Sequence, residues 1–101
     1  MKQTIIDLNK YADRAVEFMI GDKVIRCPEL SYKEMEKVQQ YEQNSESTRQ
    51  DEMEMILFLL NRNTAKIKFT KLDIGELPAG AVTRIYQECV LLSRKPLNDP
   101  N

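Results

Sequence analysis

The sequence predicts a small, mainly helical α+β domain, with an N-terminal β-hairpin packed on about three helices. Three observations predict it. Apolar and polar residues alternate around Gly21-Asp22, as they do in a hairpin. Two stretches, one after Ser31 and one after Pro78, space their apolar residues three and four apart, as one face of a helix requires. Between them, residues 53–60 read Met-Glu-Met-Ile-Leu-Phe-Leu-Leu, with Glu54 the single polar side chain. At about 100° per residue this block wraps nearly the whole circumference of a helix. Such a helix must be covered nearly all round, by its own domain or by another molecule.

Residues 1–14 read as an N-terminal arm, with Ile5, Ile6 and Leu8 ahead of a polar stretch. The hairpin occupies residues 15–27. Val16, Phe18 and Ile20 alternate with Glu17 and Met19, and Gly21 at the first central position suits a two-residue type II′ turn. Val24 and Ile25 break the alternation on the return strand, and Pro28, which has no N–H for the ladder, stops it. A first helix over about 31–43 opens with a capping box, Ser31-Tyr32-Lys33-Glu34, flanked by Leu30 and Met35 as a hydrophobic staple. A second helix over about 48–62 starts near Ser47 or Thr48, where Ser47-Thr48-Arg49-Gln50 offers another box, and ends near Asn61-Arg62-Asn63. Ile67-Lys68-Phe69-Thr70 suggests a short strand or an extended link. Thr70 to Asp73 can cap a single turn that Gly75 ends. A third long helix over about 78–94 begins at Pro78, places Val82, Ile85, Tyr86, Cys89 and Leu92 on one face, and stops before Pro96. Residues 96–101 form a polar tail, so a single domain spans 15–95.

Composition excludes most chemistry. The chain has no His, the commonest general base and zinc ligand. Cys27 and Cys89 stand 62 residues apart, which is no metal-site spacing, and they read as inert buried thiols. Three glycines cannot form a phosphate-cradling loop. No enzymatic activity, metal or cofactor is expected. A net charge of −1 argues against a general nucleic-acid binder. With no signal-like N-terminus and no apolar run near the ~20 residues a bilayer needs, no membrane association is expected and the cytoplasm is the expected location.

Charge is uneven along the chain. Glu42, Glu46, Asp51, Glu52 and Glu54 face only Arg49, giving −4 over 42–54; Arg62, Lys66, Lys68 and Lys71 give +4 over 62–71. Two solvated segments explain this, as do complementary self-association patches built from Glu46, Asp51 and Glu52 against Arg62, Lys66, Lys68 and Lys71.

The hairpin ending in Cys27-Pro28-Glu29-Leu30-Ser31-Tyr32-Lys33-Glu34-Met35, the acidic linker, the block from Asp51 to Asn63, and the Leu77-Pro78-Ala79-Gly80 entry to the last helix resemble the tail assembly chaperones of long-tailed phages and prophages of Gram-positive bacteria. The resemblance spans roughly residues 15–95. It implies a small non-enzymatic protein that coats the apolar tape measure protein before the tail tube polymerises. Such a protein leaves as the major tail tube protein arrives and is absent from the mature virion. Self-association is implied as well. The competing expectations are a structural head–tail or minor tail component, and a small inhibitor or adaptor that binds a host protein. For the chaperone, Met53, Met55, Phe58 and Leu59 are the expected partner contacts, since methionines adapt to irregular surfaces, and Phe58→Asp is expected to abolish binding.

Overall fold

A computed structural model describes residues 4–97; the first three residues of the arm and the last four of the tail lie outside them. After a 3₁₀ turn at Leu8–Tyr11 come strands β1 (Ala15–Ile20) and β2 (Lys23–Pro28), then helices α1 (Tyr32–Gln43), α2 (Arg49–Leu60), α3 (Lys71–Gly75) and α4 (Ala79–Arg94). The architecture is the expected α+β domain, with the one-turn helix α3 added to the three long ones.

The hairpin register runs from Ala15 opposite Pro28 to Ile20 opposite Lys23, leaving Gly21-Asp22 as the loop. Gly21 has φ +64°, the left-handed conformation that the first central position of a II′ turn demands. Pairing also explains the broken alternation. Val16, Phe18 and Ile20 share the inner face with Ile25 and Cys27, whereas Val24 lies outside opposite Met19.

Side chains cap the starts of α1, α2 and α3, but not that of α4. Ser31 and Glu34 form the expected box on α1. On α2 the box is shifted by one residue: Thr48 caps and Asp51 reaches back, while the Ser47 hydroxyl donates to the Tyr41 and Asn44 carbonyls. An aspartate is short enough to close the same ring that Glu closes on α1, which makes Thr48 rather than Ser47 the cap. Thr70 and Asp73 form a third box on α3. Pro78 occupies the cap position of α4, where no N–H is needed.

Helix α2 is the central pillar. It contacts α1, α3, α4 and β2, and its Met55, Ile56, Leu59 and Leu60 are buried together with Ile25, Cys27, Leu30, Val38, Ile74, Ile85, Cys89 and Val90. Four covering elements are what a helix without a polar face requires. The arm is firmly tied from Tyr11 onward: the Tyr11 hydroxyl accepts from the Leu97 N–H, and Arg14 reaches the end of α4.

Candidate functional site

The fold places the four expected partner contacts differently. Met55 is 4% exposed and Leu59 0%, so both belong to the core and neither is a contact surface. The reason is the cover just described, with α1 and α4 closing over the side that sequence alone leaves open. Phe58 is half-buried, its ring 4.7 Å beneath the Lys37 ammonium in a cation–π contact. Met53 is half-buried and lines a surface groove.

The charge segments are also partly spent within the chain. The Asp51 carboxylate belongs to the α2 cap. Arg62 pairs with Glu34 at 2.9 Å and donates to the Pro28 and Glu29 carbonyls, so it is a structural clamp. Lys71 and Glu54 approach to 3.8 Å, which joins the two segments inside one molecule. Glu46, Glu52, Lys66 and Lys68 remain on the surface. Glu42 ties α1 to α4, accepting from Arg94 and from the Tyr86 hydroxyl.

The C-terminal ends of α2 and α4 meet in a polar lock. Arg14 clasps Glu29 through two parallel hydrogen bonds of 2.9 and 2.7 Å and donates to the Leu92 and Lys95 carbonyls at the end of α4. A cation there satisfies orphan carbonyls and complements the helix dipole. Arg62, just past the end of α2, instead clamps the Pro28 and Glu29 carbonyls and Glu34, joining α2 to the segment between β2 and α1. The hydrogen bond to Arg62 and those to Ser31 outweigh the desolvation that would raise the Glu34 carboxyl, and hold it below its ordinary range. Arg94 and Tyr86 hold Glu42 low in the same way. Beside this lock, Cys27 of β2 and Cys89 of α4 are buried free thiols, each acting on the ionisation of the other. Cys27 and burial push the Cys89 thiol upward, away from a reactive thiolate.

The chain also carries two apolar grooves that meet at Leu77, one of them at the opposite ends of α2 and α4. One, of about 310 Å³, lies between the hairpin tip and residues 67–77; Ile20, Ile25, Ile67, Phe69 and Leu77 line it, with Lys23, Lys68, Asp73 and Glu76 around its rim. The other, of about 280 Å³, lies between the starts of α2 and α4; Met53, Ile74, Leu77 and Val82 line it beside Gly75, with Arg49 and Glu52 at its mouth. Leu72 stands 74% exposed on α3 between the two element ends.

Two asparagines build the first groove. Asn61 accepts from the Phe69 N–H at 2.7 Å and donates to its carbonyl at 3.2 Å, pairing with that residue as a strand neighbour would. Buried Asn63 holds the Ile67 N–H and carbonyl and also the Leu60 carbonyl. Residues 67–69 are therefore an extended link, with Ile67 and Phe69 presented to the groove. The sequence marked Asn61 and Asn63 only as a helix end, and it gave no sign that Leu77 would join two surfaces.

Among the described residues, no group of three or more His, Cys, Asp or Glu side chains is gathered to hold a metal ion. No described helix is long and apolar enough to cross a membrane. Comparison with protein-family models, with curated proteins and with solved structures returns no match.

Proposed function

We propose that the protein is a tail assembly chaperone of a long-tailed phage or prophage, which binds the tape measure protein through the two grooves that meet at Leu77. The observation that carries this reading is their arrangement: adjacent apolar recesses with a rim of both charge signs. A helix laid across such a surface can insert successive apolar side chains spaced three, four and seven apart. The mixed rim accepts the charged flanks that a long amphipathic client carries. Release as tube subunits arrive then needs only that each chaperone contact be weak and replaceable. Met53 remains a partner contact on this reading, as a flexible side chain in a groove wall. Met55 and Leu59 act through the core that supports it.

Gly75 supplies the test. Its backbone is not in the left-handed region, and a Cβ built there meets nothing within 4 Å, so Gly75→Trp can set an indole at the wall of the second groove with no clash at its Cβ. The chain is co-expressed with the long coiled-coil product of the gene immediately downstream. The expected result is that the client becomes soluble and copurifies with the wild-type chain but not with Gly75→Trp. A client that stays insoluble with the wild type, or that copurifies equally with the folded variant, overturns the proposal.

A further inference from the structure

The two edges of the hairpin are treated differently. In a hairpin with a two-residue loop, Ile20 and Lys23 form a hydrogen-bonded pair, and bonded pairs then alternate along the ladder. Phe18 with Ile25 and Val16 with Cys27 are therefore bonded, and the backbone groups of Glu17, Met19, Val24 and Arg26 point outward. On β2 this edge is covered: the Arg26 carbonyl accepts from the Thr64 N–H at 3.0 Å. On β1, no hydrogen bond among the described residues reaches the outward groups of Glu17 or Met19. The edge carries no proline, lysine or bulge, and its one charge is Glu17.

Burial differs in the same sense. Ile25 and Cys27 on β2 are fully buried, yet Val16, Phe18 and Ile20 on β1 are all only half-buried. Beside the β1 edge runs a groove of about 360 Å³ walled by Val16, Leu91 and Leu92, in which Leu91 of α4 is 54% exposed.

We propose that β1 pairs antiparallel with β1 of a second copy, so that two hairpins form one four-stranded sheet across a two-fold axis. Only an extended backbone meets outward N–H and C=O groups at strand spacing, and β1 is complementary to itself in one register. Setting Phe18 opposite Phe18 of the second copy brings Val16 opposite Ile20 and Glu17 opposite Met19. The inner face then gains three apolar cross-strand pairs, which complete the burial that β1 lacks. Ile20 of the second copy enters the groove beside Leu91. Shifting the register to place Glu17 opposite Glu17 sets like charges side by side and is disfavoured. The contact is isologous and closes at two copies. It rests on the β1 edge and on Leu91 of α4 and shares only Ile20 with the grooves at Leu77, so loss of the dimer and loss of the client are read separately.

Sedimentation velocity on the full chain, over a concentration series reaching hundreds of micromolar, reads the dimer directly. Met19→Glu puts a carboxylate opposite Glu17 twice across the axis; the dimer is expected to weaken about tenfold with an unchanged thermal melt, since Met19 is 69% exposed. Glu17 faces Arg26 across the hairpin at 3.9 Å, so Glu17→Lys is added together with Arg26→Glu; both contacts with the second copy become opposite-charge pairs, and association is expected to return to within about threefold of the wild type. Leu91→Arg, on α4 rather than on the strand, is expected to weaken the dimer as well. A wild-type chain monomeric throughout the series, a Leu91→Arg dimer as tight as the wild type, or a folded Met19→Glu chain that keeps its affinity or does not regain it with Glu17→Lys and Arg26→Glu overturns the proposal.

Discussion

Helices α2 and α4 lie side by side, and their two ends are built by opposite rules. At the C-terminal ends, Arg14 and Arg62 convert orphan carbonyls, Glu29 and Glu34 into a closed set of charge-assisted hydrogen bonds. At the N-terminal ends, Thr48 and Asp51 cap α2 and the side chains leave an apolar groove open, which meets a second groove at Leu77. Stability is concentrated where no partner is needed, and surface complementarity is kept where the chain can tolerate change. An apolar recess costs little to leave open to water when the core behind it is complete, whereas an unpaired buried guanidinium or carboxylate costs several kcal/mol.

The largest effect expected from this contrast follows from removing a clamp. Arg14→Met leaves Glu29 without its partner, the Lys95 carbonyl without its Arg14 donor and the Leu92 carbonyl with only the Lys95 N–H, and is expected to cost about 3 kcal/mol in chemical denaturation. Arg62→Met costs less, about 2 kcal/mol, because Glu34 is more open to water. Gly75→Trp at the groove end is expected within about 0.5 kcal/mol of the wild type. Equal losses at the two ends would break the distinction between them.

Thiol labelling sharpens the same comparison locally. Cys27 and Cys89 are buried beside the lock, so the native protein reacts with a thiol reagent only as fast as that region opens. A loss of about 3 kcal/mol corresponds to labelling about a hundredfold faster in Arg14→Met. Gly75→Trp leaves the rate unchanged if the groove end opens independently of the lock.

Acid provides a graded release. Glu34 and Glu42 both ionise more readily in the folded chain than in the unfolded one. Their contribution is complete above the ordinary carboxylate value of 4.5 and is lost as pH falls through their lowered values. Stability is therefore expected to be level between neutral pH and about 5, and to decline below that. Glu34→Gln should lower the plateau and flatten the decline, by a smaller margin than either arginine substitution. A wild-type profile that is flat to pH 3 would show that these carboxylates contribute nothing.

Much of this architecture was legible in the sequence, because local rules determine it. Gly21-Asp22 specified the turn, Ser31 to Glu34 the start of α1, and Thr70 to Asp73 the extra turn of α3. The cap of α2 was misplaced by one residue because Ser47 and Thr48 are chemically alike, and only the reach of Asp51 separates them. Two of the four candidate contacts, Met55 and Leu59, lie in the core for a different reason. Periodicity reports that Met55 and Leu59 are apolar, not how many elements converge on them, and convergence is a long-range property. The grooves depend on Asn61 and Asn63 acting as backbone mimics, and the lock on Arg14 reaching a helix about 80 residues away. Neither type of contact leaves a periodic mark in the chain.

The smallest expected effect concerns the charges at the groove end. Lys71 and Glu54 bring the basic and acidic segments within 3.8 Å, but their side chains are 47% and 60% exposed. An ion pair so open to water gains little Coulomb energy and restricts two long side chains, so its coupling is expected below about 0.5 kcal/mol. A double-mutant cycle with Glu54→Gln and Lys71→Gln, run at low and at high salt, measures it. If the coupling is small and vanishes with salt, the surface around the grooves is electrostatically loose, and its charges are free to reorient toward a partner. A coupling above about 1 kcal/mol that survives salt would mean that the N-terminal ends are locked as firmly as the C-terminal ones. The contrast between the two ends would then have to rest on apolar shape alone.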